Sequence, residues 1–202
     1  MKMKFIFYLS IIILLGSCHP GGIEYYEDTD VVYTNYEDNF DFQSRGTYVI
    51  PGKIVKLTGE LLEGEEPEFV EDKYSIPMLN QMKANMSDLG WKIKEDYDPV
   101  VDKDVLVLFP AVWTNTTFYY YYNYWCWYYP YYCGWGWGYP SVSSYTTGTL
   151  LMTLVADGED FITPTRVWTG AINGLLSGAY NTSRVTRSID QAFTQSSYLK
   201  TN

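Results

Sequence analysis

One histidine, His19, is the entire imidazole content of this 202-residue chain. It stands at the foot of an N-terminal leader, so a Ser-His-Asp triad has no base and a histidine-based zinc site has no ligands. Cys126 or Cys133 as a nucleophile would lack the imidazole that activates such thiols. Gly-x-Ser-x-Gly, Ser-x-x-Lys, His-Glu-x-x-His and phosphate-cradling glycine loops are all missing. Paired carboxylates are the one catalytic device left. The candidates Asp157, Glu159 and Asp160 crowd a single loop, where exposed acids are ordinarily just solvated. The expectation is a chain without catalytic residues, metal or cofactor.

Positive charge is scarce as well. Lys and Arg number 14 against 24 Asp and Glu, for a net charge of −10. Nucleic acid is excluded as a partner, because its phosphates require a basic footprint. A polybasic hold on anionic lipid is excluded for the same reason. The acidity reads as a device for solubility. No apolar run reaches the roughly 20 residues of a spanning helix.

The first residues carry an address. "MKMKFIFYLSIIILLGSC" places Lys2 and Lys4 before an uncharged, mostly apolar run and then small residues, the layout of a secretory signal. Its end, Leu15-Gly16-Ser17-Cys18, resembles the lipobox of bacterial lipoproteins. Residues 1–17 would then be removed and Cys18 would carry the lipid, palmitate included. Several acyl chains anchor durably, since each buried CH₂ contributes about 0.8 kcal/mol. Cleavage removes two basic residues and leaves 12 against 24, a net of −12. With no Asp after Cys18, outer-membrane sorting is the default, on the periplasmic side or the surface. Lipidation also resolves an odd cysteine count, because Cys126 and Cys133 are left as an even pair in an oxidising compartment, where a disulfide is the better reading.

Residues 18–29 read as a lipidated tether and residues 30–202 as one domain. Strand candidates rich in β-branched and aromatic residues lie at 31–35 and 47–50, and a further one at 54–58 precedes an acidic loop over 63–72. The clearest helix follows: Ser75 as cap, Pro77 in the first turn, Gly90 at C′, and Ile76, Leu79, Met82, Met86 and Leu89 as one inward stripe. A brief strand at "WKIK" comes next. "KDVLVLFPAVW" and "TGTLLMTLVAD" are apolar on both faces, as central strands are, and "TRVWTGAI" alternates as their antiparallel partner. A last helix starts near Thr182 or Ser183, helped by Asn181, and turns Val185, Ile189, Ala192 and Phe193 inward. The order predicts an α+β domain: two layers, a mostly antiparallel sheet with two helices packed on one face.

Between the two central strands lies an aromatic-rich insertion, residues 114–146. Of the 22 residues from 119 to 140, 14 are Tyr or Trp and none is charged. Such a set, fully exposed, would far exceed the ~300–600 Å² of the largest apolar patch on a typical monomer. Three uses compete. The rings can form a glycan or peptide platform, with Tyr121, Trp125, Trp127, Trp135 and Trp137 as candidate ligand contacts. They can sit at a membrane interface. Or they can cover one another and the sheet, stapled by Cys126–Cys133.

Several stretches together resemble the bacterial envelope lipoproteins grouped as domain of unknown function 4136. They are the lipobox, "VVYTNYEDNFDFQSRGTYVIP", "MLNQMKANMSDLGWK", "KDVLVLF", "GTLLMTLVAD" and "RVWTGAI", followed by a closing helix. The resemblance covers residues 30–199. It departs in a longer acidic segment at 60–72, in Thr163-Pro164 and in the lack of a proline tail. Tyrosine- and glycine-rich stretches are frequent in that family where the insertion falls here. The resemblance implies an envelope lipoprotein with no established catalytic residues. The expected role is thus structural or interactive. The partners are the membrane, through the lipid, and an envelope protein or glycan. The alternative is a glycan- or peptide-binding module built on the aromatic segment.

Overall fold

The computed structural model describes residues 31–58, 61–62, 65–98, 101–102, 104–113, 124, 127–128, 148–156, 165–176 and 180–201. The signal, the tether and Cys18 lie outside these residues. So do Cys126, Cys133, Tyr121, Trp125, Trp135, Trp137, Asp157, Glu159 and Asp160.

Seven strands form one mixed sheet: β1 (Val31–Tyr36), β2 (Thr47–Val49), β3 (Val55–Leu57), β4 (Lys92–Ile93), β5 (Leu106–Trp113), β6 (Thr149–Ala156) and β7 (Thr165–Asn173). Two helices, α1 (Asp72–Asp88) and α2 (Thr182–Thr194), complete the α+β domain. The order is β1-β7-β6-β5-β2-β4, with β3 also on β5. The long strands β1, β7, β6 and β5 pair antiparallel, and the short β2, β3 and β4 are parallel additions. As their apolar runs require, β5 and β6 are central.

The outer edge of β5 is shared. β2 pairs with its start (Tyr48↔Leu106) and β3 with its end (Val55↔Ala111). Between these two pairings six residues on one side face four on the other, and Pro51-Gly52 falls in the surplus, where a ladder donor is not required. Pro110 in β5 sits opposite this interruption, between the registered positions Val107 and Ala111. A proline in a central strand is tolerable there.

Both helices share one face of the sheet. Met78, Leu79, Met82 and Met86 of α1 and Val185, Ile189, Ala192 and Phe193 of α2 join Leu106, Leu108, Leu150, Met152, Leu154 and Trp168 in the main core. The α2 stripe is as expected, and Asn181 caps the helix by accepting from the Arg184 N–H. The α1 expectation needs correction at its start. The N-cap is Glu71, so Ser75 lies inside the helix and is buried, while Pro77 falls beyond the first turn. Ile76 is 51 % exposed and Met78 takes its place. At about 100° per residue, Ile76 points roughly 100° away from the mean direction of Met82 and Met86. Between helices, Gln81 and Asn85 both donate to Asp190 Oδ1, at 2.6 and 2.9 Å.

Gly90 ends α1 as predicted, with φ +93°. The C-terminal residues dock on this end: Thr201 N–H donates to Leu89 O (2.9 Å) and Trp91 Nε1–H to Leu199 O (2.7 Å). A methyl at Gly90 would lie 2.5 Å from Thr201 Oγ1. Gly90→Ala is therefore expected to cost about 1–2 kcal/mol, strain at positive φ plus displacement of Thr201. Urea titration would read the loss, and hydrogen exchange would place it at Thr201. An unchanged midpoint would refute both assignments.

The strand at "TRVWTGAI" does not alternate throughout. Register shifts between Leu154 and Val155, which pair with Trp168 and Arg166, so Val167 is an extra residue. Val167 and Trp168 consequently both join the helix-side core.

Candidate functional site

The face of the sheet away from the helices has its own apolar cluster: Val55, Leu57, Leu61, Val107, Phe109, Ala111, Leu151, Val155 and Ala171. A face this apolar cannot stand open to water. Tyr124, from the aromatic insertion, is buried in the cluster at 1 % exposure, and Tyr128 packs against it. The insertion therefore supplies part of the cover of this second face.

Polar atoms hold these rings in place. Tyr124 Oη accepts from the Thr58 backbone N–H at 3.2 Å and lies 3.1 Å from Thr58 Oγ1, where either hydroxyl can donate. Tyr128 O–H donates to Lys53 O at 3.2 Å. Its ring meets Phe109 edge-on (centroids 5.6 Å, 75°) and Phe69 likewise (6.3 Å, 75°). Trp127 stands perpendicular to Tyr128 (5.1 Å, 90°) and edge-on to Phe69 (5.5 Å, 60°). Lys53 Nζ lies 4.6 Å from the Phe69 ring centre, a cation–π contact at the rim.

Burial pushes the Tyr128 phenol up to about 12. Tyr48, buried under the other face, is also pushed up to about 12, first by burial and then by Glu95. A raised tyrosine pKa means that the folded state keeps a proton the unfolded chain gives up near pH 10. This contribution to stability is whole below pH 10 and is lost as pH rises through about 12. We expect folding to weaken over that interval, and phenolate absorbance to show a late class of tyrosines that disappears in Tyr48→Phe/Tyr128→Phe. A titration without that late class would overturn the burial of both rings.

Of the five candidate ligand contacts, Trp127 is the one among the described residues. It is 39 % exposed, and its described ring contacts are edge-on rather than coplanar. The candidate acids Asp157, Glu159 and Asp160, and the pair Cys126–Cys133, fall outside the description. Among the described residues no group of three His, Cys, Asp or Glu side chains is placed to hold a metal, and no helix is long and apolar enough to cross a membrane. Sequence reasoning missed Tyr124, Tyr128, Thr58, Lys53 and Phe69. In a run with 14 Tyr and Trp among 22 residues, no periodicity separates the buried ring from its neighbours.

A family model described as "Domain of unknown function (DUF4136)" matches residues 32–196. Among solved structures, a DUF4136 family protein from Bacteroides thetaiotaomicron VPI-5482 is similar at 25 % identity with a TM-score of 0.62, covering 85 % of this chain and 97 % of that one. No curated protein sequence matches.

Proposed function

This chain belongs to the DUF4136 family, and from that premise we propose that it is a lipid-anchored bacterial envelope protein whose domain serves a structural or interaction role without catalysis. The observation that carries the reading is the burial of Tyr124 in the second face of the sheet, its hydroxyl engaged by Thr58. Tyr124 and Tyr128 thus belong to the body of the domain, and the abundance of rings in the segment does not of itself call for a ligand. The anchor is supported by Leu15-Gly16-Ser17-Cys18 at the end of the leader. Twelve residues separate Cys18 from Val31, a reach of at most about 45 Å, which keeps the domain close to the outer membrane.

Metabolic labelling with palmitate tests the anchor. The chain should take up label and partition into detergent, and Cys18→Ala should do neither. An unlabelled wild-type chain overturns the reading. A second reading, glycan or peptide contact through the aromatic segment, draws on the exposure of Trp127 beside Phe69 and Lys53. It predicts that Trp127→Ala abolishes retention on envelope glycan without loss of stability. Equal retention of both proteins would remove it.

A further inference from the structure

A sheet ends where its last strand finds no neighbour, and the two ends of this sheet differ. Among the described residues β4 closes one end and β1 the other, each bonded to a single strand. β4 has only two residues and begins with Lys92, so it offers little to pair with. β1 runs for six residues, Val31–Tyr36, without a charge or a proline. Its register with β7 is unbroken from Val31↔Asn173 to Tyr36↔Trp168, so no bulge turns it aside. Lysine, proline and bulge, the devices that ordinarily blunt an edge strand, are all missing from it.

The hydrogen bonds fix what this edge presents. Glu37 N–H donates to Val167 O at 2.9 Å, one step beyond the pair Tyr36↔Trp168. Bonded and unbonded pairs alternate in an antiparallel ladder, so Tyr33 and Asn35 turn their backbone groups to β7. Val32, Thr34 and Tyr36 turn their N–H and C=O groups outward, to the open side. On the face away from the helices, Val31 and Tyr33 are 59 % and 44 % exposed, with Tyr33 paired to the buried Ala171. Charge decides which strand fits. Asp30 precedes the uncharged run, and Glu37 and Asp38 follow it. Glu37 and Asp38 are exposed, no ion pair among the described residues includes them, and the Asp38 charge pushes the Tyr36 phenol up. A second copy of this chain is therefore a poor occupant. Paired about Thr34 so that every outward group is bonded, two copies would set Asp38 opposite Asp30, and like charges directly opposite destabilise a sheet.

We propose that the open edge of β1 takes up an extended segment of another protein as an antiparallel strand, uncharged and free of proline along its middle and basic at both ends. Its backbone bonds the outward groups of Val32, Thr34 and Tyr36, and its apolar side chains cover Val31 and Tyr33. A lysine or arginine opposite Glu37 and another opposite Asp30 make the cross-strand charge pairs that a second copy cannot. This gives the interaction role proposed above a surface and a partner. It rests on that role but not on the lipid anchor, so the test uses a chain with Cys18→Ala, and palmitate labelling checks the anchor separately.

Amide hydrogen exchange of the full chain carrying Cys18→Ala, read by NMR, separates the outcomes. In the free protein the Val32, Thr34 and Tyr36 amides should exchange fast, and those of Tyr33 and Asn35 slowly. The probe is the peptide acetyl-Lys-Thr-Val-Thr-Val-Thr-Val-Lys-amide, whose valines would lie on the face of Val31 and Tyr33. It should bind saturably and slow the three outward amides. The same peptide with Glu at both ends, or with Pro for its middle Thr, should bind at least tenfold more weakly. Thr34→Pro removes one outward N–H without touching the bonds to β7, and should abolish binding with the rest of the spectrum in place. If that variant does not fold, Glu37→Lys decides. It should weaken the lysine peptide about fivefold and strengthen the glutamate peptide. Slow exchange of the three outward amides in the free chain would show the edge already covered, by this chain or by a second copy, and overturn the proposal. So would no response to the lysine peptide, equal binding of either control peptide, or an affinity unmoved by Glu37→Lys.

Discussion

Trp168→Ala is expected to lower the unfolding free energy by about 3–5 kcal/mol, the range for emptying a buried aromatic site. The indole is wholly buried, its ring centre 5.3 Å from that of Phe193, and Nε1–H donates to Ser196 Oγ at 2.9 Å. Ser196 Oγ also accepts from Tyr198 O–H and donates to Ala192 O, so the substitution empties volume and unpicks a buried polar junction together. Against total stabilities of roughly 5–15 kcal/mol, the loss brings the domain near its limit. Gly170 provides an internal check. A methyl there would lie 2.7 Å from Trp168 Cη2 and 3.0 Å from Met152 Cε. Gly170→Ala alone should cost about 1–3 kcal/mol by overpacking. Added to Trp168→Ala it should cost far less, because the indole it would strike is gone. Denaturant titration of the four proteins closes the cycle. Additive losses would show that Gly170 is not spaced by the indole, and a Trp168→Ala loss under 1 kcal/mol would refute the burial itself.

Tyr124→Ala is expected to cost a similar amount, about 3–5 kcal/mol, although it lies in a segment whose composition suggests an appendage. The ring is removed from the cluster around Phe109 and Ala111, and the Thr58 N–H loses the phenol oxygen it donates to. Tyr124→Phe isolates the second part, at about 1–2 kcal/mol. The pair discriminates between uses of the insertion. If the segment were a detachable platform for ligands or lipid headgroups, Tyr124→Ala would leave thermal stability in place and reduce binding alone. If it covers the sheet, stability falls first, and any loss of binding tracks the unfolded fraction.

The sheet's centre was readable because burial on both faces leaves an unbroken apolar run, as in β5 and β6, and the closing helix because its cap and inward stripe agree on one phase. The family assignment drew on these same stretches. The start of α1 was misread because Pro77 favours a first-turn position, whereas the buried residues Ser75 and Met78 hold the helix together across it. The parallel strands β2, β3 and β4 have three, three and two residues, too short for any period to show. Their places follow from the two ends of β5, which is long-range information. The bulge in β7 left only a faint trace. Adjacent Val167 and Trp168 break strict alternation, but two neighbouring apolar residues do not fix which strand position is doubled.

The register between β1 and β7 also sets a clock. Val31 finds its partner at Asn173 and Tyr36 at Trp168, so the first strand must wait until nearly the whole chain has been made. Pairings this distant in sequence are slow to close. At synthesis rates of about 5–20 residues per second, the wait lasts on the order of ten seconds. Under the export proposed above, in which the chain crosses a membrane unfolded, delay of this kind would be protective. The proposed leader would be engaged while the sheet still lacks the strand that completes it, and the fold would close only after export.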